Sequence, residues 1–132
     1  MKTKHYMVLF WAFAFACLAR PADAADRMRP GQWVGTTTVK TRTFDNANCV
    51  TPNDAAAMNG DAKSIQAFLE KAIPPEICKI MDIEVNGGQV IYTSRCKVGA
   101  PNVITTNYHG DHSESTSSDG TTSQAKLVGA CK

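Results

Sequence analysis

The stretch from Cys78 to Cys96 constrains the fold most, because it has the pattern of two strands joined by a tight turn. Apolar and β-branched residues flank the triplet Asn86-Gly87-Gly88 on both sides, and glycine accepts the positive φ that tight hairpin turns need. The two cysteines lie at equal distances from Gly87, so the hairpin would place their sulfur atoms opposite each other. We therefore predict a β-hairpin that is closed by its own disulfide bond.

The N-terminal segment, residues 1–24, has the pattern of a secretory signal peptide. Two lysines precede an uncharged apolar run of 13 residues (6–18), and Ala22 and Ala24 supply the small residues of a cleavage site. The apolar run is too short for a membrane-spanning helix, which needs about 20 residues. We expect cleavage near Ala24, a periplasmic location and no transmembrane segment in the mature chain.

Loss of this segment changes the charge of the chain. The full sequence has 14 Lys and Arg against 12 Asp and Glu, whereas residues 25–132 have 11 of each. A neutral domain without a basic cluster lacks the positive surface that nucleic acid binding requires. We expect neither a nucleic acid partner nor a cofactor.

Four cysteines remain in the single domain predicted for residues 25–132. In an exported chain of this size, four cysteines indicate two disulfide bonds and allow three connectivities. The hairpin favours Cys78–Cys96, which leaves Cys49 to pair with Cys131. A zinc site of four thiolates is disfavoured because the sequence contains no C-x-x-C pair.

The rest of the pattern predicts a mainly β (α+β) fold with a short helical insertion after the first strand. Strands are expected where Thr, Val and Ile are dense, and helices where a capping residue precedes apolar residues at helical spacing. Besides the hairpin, the predicted elements are a strand at 33–44, a loop at 45–50, helices at 52–58 and 61–73, and strands at 102–109, 112–118 and 121–128. Together they predict a curved antiparallel sheet, a half-barrel meander of about six strands.

Three of the five aromatic residues beyond residue 24 are candidates for ligand contact or for core packing: Trp33, Phe68 and Tyr92. Aromatic side chains serve mostly as packing, but they also line apolar binding pockets. If these three lined one cavity, the chain could carry a small apolar ligand.

The best candidate for chemistry is the segment Tyr108-His109-Gly110-Asp111-His112. Its two histidines are the only ones beyond residue 24, and imidazole with carboxylate binds zinc, copper or nickel. His109, Asp111 and His112 are therefore candidate metal ligands, although Gly-Asp also serves well as a plain turn.

Ser113 would complete the residue types of a catalytic triad, but neighbours on a strand point to opposite faces and no nucleophile-elbow motif is present. We predict no enzymatic activity.

Several short motifs in order along the chain resemble one family. They are Arg-Pro-Gly-x-Trp at 29–33, Cys-Val-Thr-Pro-Asn-Asp-Ala-Ala at 49–56, the cysteine hairpin, Tyr-His-Gly-Asp at 108–111 and Gly-Ala-Cys at 129–131. The set resembles domain-of-unknown-function family 3617, small exported proteins of Gram-negative bacteria. The resemblance implies a periplasmic, disulfide-bonded β protein and carries over no catalytic residues. The family usually lacks histidines at this turn, so the histidine pair is particular to this chain.

These observations lead to three expectations about function. The first is a non-catalytic binding or protein-interaction module of the cell envelope, whose partner is another envelope protein. The second is a lipocalin-like carrier of a small apolar ligand. The third is a metal-binding protein that uses His109, Asp111 and His112.

Overall fold

The computed structural model describes residues 27–132; the predicted signal peptide and its cleavage site lie outside the described residues. The chain order of the elements is β1 (Gly31–Val39), β2 (Arg42–Val50), α1 (Pro52–Met58), α2 (Ala62–Ala72), β3 (Cys78–Asn86), β4 (Gln89–Cys96), β5 (Asn102–Tyr108), β6 (His112–Ser117) and β7 (Thr122–Gly129). The mainly β class with a helical insertion is confirmed, and the described sheet has seven strands where about six were predicted.

All seven strands form one antiparallel sheet in the order β2-β1-β7-β6-β5-β4-β3. The last five strands make the predicted meander, in which each strand pairs with the next along the chain. β1 then joins the end of the meander by pairing with β7. The sheet is open rather than closed, so β2 and β3 are its two edges.

The strand predicted at 33–44 and the loop predicted at 45–50 are wrong, because this stretch forms a hairpin. β1 and β2 pair without a register shift over nine residues each. The chain reverses at Lys40-Thr41, and Lys40 itself takes a φ of 54°. Two-residue hairpin turns usually contain Gly, Asn or Asp, and this turn contains none of them.

The β3–β4 hairpin contains the predicted disulfide bond, but its turn and its register differ from those that the sequence pattern predicts. Its turn consists of residues 87–88, not of a triplet centred on Gly87. Counted from that turn alone, Cys78 would lie one residue out of register with Cys96. A β-bulge at Asp82, which has a φ of 55°, supplies the missing residue. Cys78 therefore faces Cys96, and the two are bonded.

The second predicted disulfide bond is also confirmed. Cys49, near the end of β2, is bonded to Cys131, just beyond β7, with Cα atoms 5.4 Å apart. The two residues are 82 positions apart in sequence. This bond therefore ties one edge strand of the sheet to the C-terminal end of the chain.

Two hydrophobic clusters form the core beneath the helices. The larger one is made by Met58, Ile65, Leu69, Ile80 and Val90, and the smaller one by Trp33, Val50 and Ala55. Ile65 and Leu69 are four residues apart and share one face of α2, which packs on β3. α2 thus packs its apolar face on the sheet.

Arg27 anchors the start of the described chain. Its side chain is buried, and Nε donates a hydrogen bond to the carbonyl oxygen of Gly87 at 2.6 Å. Nη1 donates to the carbonyl oxygens of Met58 and Gly60, both at 2.9 Å. Burial lowers the pKa of this guanidinium from its usual value, and the three bonds join the helices to the β3–β4 turn.

Within residues 27–132, no helix combines the length and apolar character needed to cross a membrane.

Candidate functional site

The β2 edge is the most exposed regular element of the sheet. Eight of its nine residues are exposed, and only Val50 is buried. Its one neighbour in the sheet is β1, so within the described residues its outer side faces no other strand. Every second residue of such a strand directs its N–H and C=O groups outward, where another strand can pair with them.

An open cleft of about 910 Å³ lies beside this edge, on a sheet surface formed by β2, β1, β7 and β6. Val34 and Ala47 face each other in the pairing of β1 with β2 and contribute apolar surface. Asp45, Glu114 and Lys126 add charged groups to the lining. The cleft is therefore mixed in polarity, with an apolar pair between carboxylates and an ammonium group.

The segment that carries the two histidines is a tight turn held by backbone hydrogen bonds on both sides. The His109 N–H donates to the carbonyl oxygen of His112 at 2.9 Å, which closes the turn. Gly110 takes a φ of 89° at its centre, a conformation that suits glycine. The Gly110 N–H donates to the carbonyl oxygen of Arg27, and the Leu127 N–H donates to the carbonyl oxygen of Asp111. Both Arg27, which precedes β1, and Leu127 of β7 thus hold this turn in place.

Three side chains at this turn present metal-binding atoms close together. They belong to His109, His112 and Glu114, and their potential ligand atoms all lie within 4.8 Å of one another. Nε2 of His109 is 2.8 Å from Oε1 of Glu114, and the two imidazole rings stack with centroids 4.4 Å apart. All three side chains are accessible to solvent.

The structure places Asp111 differently from its predicted role as a ligand. Its Oδ1 is 2.7 Å from Nδ1 of His112, and Asp111 does not belong to the group of three convergent side chains. The hydrogen bond to His112 holds the pKa of the Asp111 carboxyl below its usual range. A carboxylate on Nδ1 leaves Nε2 as the nitrogen available for a metal.

The three predicted aromatic residues do not come together. Trp33 is buried in the smaller cluster, where its Nε1 donates to the carbonyl oxygen of Arg29 at 2.9 Å. Phe68 and Tyr92 pack against the larger cluster. Tyr92 also borders a cavity of about 630 Å³ beside the Cys78–Cys96 bond, and burial raises the pKa of its phenol.

Two features of these sites escaped prediction from the sequence. The free edge was missed because β2 was predicted as part strand and part loop. Glu114 was not among the candidate ligands, although the alternation of side chains along β6 puts positions 112 and 114 on the same face. That alternation was the available signal that Glu114 lies near His112.

The fold and the turn define an open, disulfide-linked antiparallel β domain whose edge strands are β2 and β3. A family model described as "Protein of unknown function (DUF3617)" matches residues 28–131, nearly the whole described chain. The protein belongs to this family, as the ordered motifs predicted. No curated protein and no solved structure matches the chain.

Proposed function

We propose that the protein is an exported, non-catalytic interaction module that binds an extended segment of another envelope protein as an added strand beside β2. The observation that carries this proposal is the free, unbroken edge of β2. A strand added to a sheet edge gains affinity from main-chain hydrogen bonds and specificity from alternate side chains.

The outward groups of β2 follow from its hairpin. Val39 and Arg42 flank a two-residue turn and face each other, which makes them a hydrogen-bonded pair. Counting from that pair, Thr43, Asp45 and Ala47 direct their backbone groups away from β1. A partner strand would pair with these residues.

Side chains near the edge offer a means of selection. Asp45 and Ala47 contribute to the lining of the cleft, so alternate side chains of an added strand would border it. Phe44 points to the opposite face and is 53 % exposed. A partner strand with an apolar residue beside Phe44 would bury part of that ring, which favours binding by about 25 cal/mol per Å² of apolar surface removed from water.

Export to the periplasm supports this choice of partner. Two disulfide bonds are typical of oxidising compartments, and the N-terminal pattern is that of a signal peptide. A module in this compartment meets other exported or envelope proteins. The carrier hypothesis has weaker support, because Trp33 packs in a different cluster from Phe68 and Tyr92.

Site-specific photo-crosslinking in cells that export the protein tests the proposal. A photoreactive phenylalanine analogue replaces Phe44 at the β2 edge or Lys79 at the β3 edge. We expect a discrete crosslinked protein from position 44 and none from position 79. Because proline removes the outward N–H at position 47, Ala47→Pro should abolish the crosslink.

Ala47→Val is the matched control, since valine keeps the N–H and favours strand structure. We expect A47V to keep the crosslink, and both variants to unfold as cooperatively as the wild type. Equal crosslinking from the two edges, or a crosslink that survives A47P in a folded protein, would refute strand addition at β2. A crosslink to a second copy of this chain alone would refute the envelope-protein partner.

A further inference from the structure

We propose that the β5–β6 turn binds one divalent transition-metal ion through His109, His112 and Glu114, with Asp111 orienting His112. This inference does not rest on the function proposed for the β2 edge, although His112 and Glu114 also line the cleft beside that edge. It replaces the ligand set expected from the sequence, in which Asp111 was a ligand and Glu114 was not.

The spacing of the three side chains suits a single ion. Zinc binds imidazole nitrogen and carboxylate oxygen at about 2.0–2.2 Å, which places tetrahedral ligand atoms about 3.4 Å apart. The potential ligand atoms of His109, His112 and Glu114 lie within 4.8 Å of one another, and Nε2 of His109 is 2.8 Å from Oε1 of Glu114. The two imidazole rings are stacked, so binding one ion requires them to rotate until their nitrogen atoms converge, and solvent exposure leaves room for that rotation.

Asp111 supplies the outer contact that metal-binding histidines usually have. A ligating imidazole commonly donates its second ring N–H to a carboxylate, which fixes the tautomer and the direction of the ring. Oδ1 of Asp111 already lies 2.7 Å from Nδ1 of His112. Asp111 is therefore a positioning residue that presents Nε2 of His112 to the ion.

The backbone holds these ligands before any ion arrives. The turn between His109 and His112 is closed by its own hydrogen bond, and two further bonds tie it to Arg27 and Leu127. Glu114 extends from β6, whose pairing with β5 and β7 fixes its position. A preorganised turn loses less conformational entropy on binding than a free loop does.

The donor set selects the class of ion. Two imidazoles and one carboxylate suit Zn²⁺, Cu²⁺ or Ni²⁺, whereas Mg²⁺ prefers oxygen ligands and retains its waters. Three protein ligands leave at least one coordination position for water or for a group on another molecule. We expect Cu²⁺ to bind more tightly than Zn²⁺, in keeping with the general order of divalent affinities.

Calorimetric titration of the metal-free, disulfide-bonded mature protein with Zn²⁺, Cu²⁺ and Mg²⁺ tests the site. We expect one Zn²⁺ or Cu²⁺ per chain and no Mg²⁺ binding. His109→Asn, His112→Asn and Glu114→Gln should each weaken Zn²⁺ binding roughly tenfold or more. Asp111→Asn should keep the stoichiometry and weaken binding about 10–100-fold, the usual effect of removing an outer-shell carboxylate.

Asp119→Asn, in the β6–β7 turn, is the matched control and should leave Zn²⁺ affinity unchanged. The ¹⁵N chemical shifts of the His112 ring separate positioning from a general effect on folding. In the wild type they should report the proton on Nδ1, and in D111N a mixture of tautomers. Three results would overturn the three-ligand site. They are the absence of Zn²⁺ and Cu²⁺ binding, a Zn²⁺ affinity in H109N or H112N equal to that of the wild type, and one ion shared by two chains.

Discussion

The two edges of the sheet are built in opposite ways. β3 alternates between buried or half-buried and exposed residues, packs against α2 on one face and is interrupted by the bulge at Asp82. β2 is exposed over eight of its nine residues and pairs with β1 without interruption. Each edge also carries one disulfide bond, through Cys78 in β3 and Cys49 in β2.

The two edges are therefore unequally packed, since β3 borders the larger hydrophobic cluster and β2 is mostly exposed. Free strand edges recruit other strands, and proteins usually blunt them with bulges, charges or covering elements. The β3 edge has a bulge and a helix, and it borders the larger hydrophobic cluster. The β2 edge has neither device along its length, and its flanking charges are limited to Arg42 and Asp45. An exposed, unbroken edge such as β2 is what the strand addition proposed above requires.

The largest expected effect comes from the two disulfide bonds. Replacing Cys49 and Cys131 by Ser should lower the free energy of unfolding by about 4.5 kcal/mol, because the bond closes a long loop. Replacing Cys78 and Cys96 by Ser should cost about 3 kcal/mol, because that loop is short. Denaturant unfolding of the two double variants measures both values.

The order of these two costs sharpens the comparison of the edges. The bond on β2 should matter more to global stability because it removes more entropy from the unfolded chain, although β2 contributes little to the core. A larger loss from the Cys78–Cys96 variant would show that native contacts at the β3 edge, and not loop length, determine the effect of each bond. Unfolding of the fully reduced wild type serves as the common reference.

Core truncation at the two edges should give unequal costs. Ile80 on β3 is 1 % exposed and belongs to the larger cluster, so Ile80→Ala should lower the free energy of unfolding by about 3 kcal/mol. Phe44 on β2 is 53 % exposed, so Phe44→Ala should cost less than about 1 kcal/mol. Urea denaturation of the two variants provides the measurement.

Native-state hydrogen exchange adds a local view of the same contrast. Amides of β2 should exchange through local unfolding of that edge, whereas those of β3 and β4 should exchange only when most of the domain unfolds. Equal destabilisation by the two alanine variants would mean that the β2 edge is as well packed as β3, which would weaken the assignment of binding to β2.

Much of the fold could be predicted from local signals. The cysteine hairpin, the caps of both helices and the turns near Gly110 and Gly120 all use residues whose conformational preferences are strong. The β1–β2 hairpin could not be predicted, because Lys40 takes a positive φ without a glycine or asparagine to mark it. Pairing of β1 with β2 over nine residues each imposes that conformation on Lys40, and neither residue of the turn has a side chain that signals it.

The hairpin disulfide was predicted correctly from an incomplete picture of the turn. The actual turn is one half-residue off the centre that the sequence suggested, and the bulge at Asp82 compensates for it. At the candidate metal site, the histidines were visible in the sequence, but the convergence of Glu114 with them, rather than of Asp111, was not. That convergence depends on which face of β6 each side chain takes, and so on the register of the sheet.

The smallest expected effect concerns the acid sensitivity of the N-cap of α2, the helix that packs on β3. Asp61 caps α2, and the hydrogen bond from the Ser64 N–H holds the pKa of its carboxyl below the usual value. A carboxyl with a depressed folded pKa stabilises the protein above its unfolded pKa of about 3.9, and this contribution is lost as the pH falls through the folded value. The wild type should therefore lose thermal stability below about pH 4. Asp61→Asn should match it at pH 7, because asparagine caps helices equally well, and should lose less on acidification.

Thermal unfolding midpoints at pH 7 and pH 3 measure the difference, with Asp45→Asn on β2 as the control. An equal acid loss in D61N and the wild type would mean that the capping carboxylate does not contribute to the pH dependence at the β3 edge.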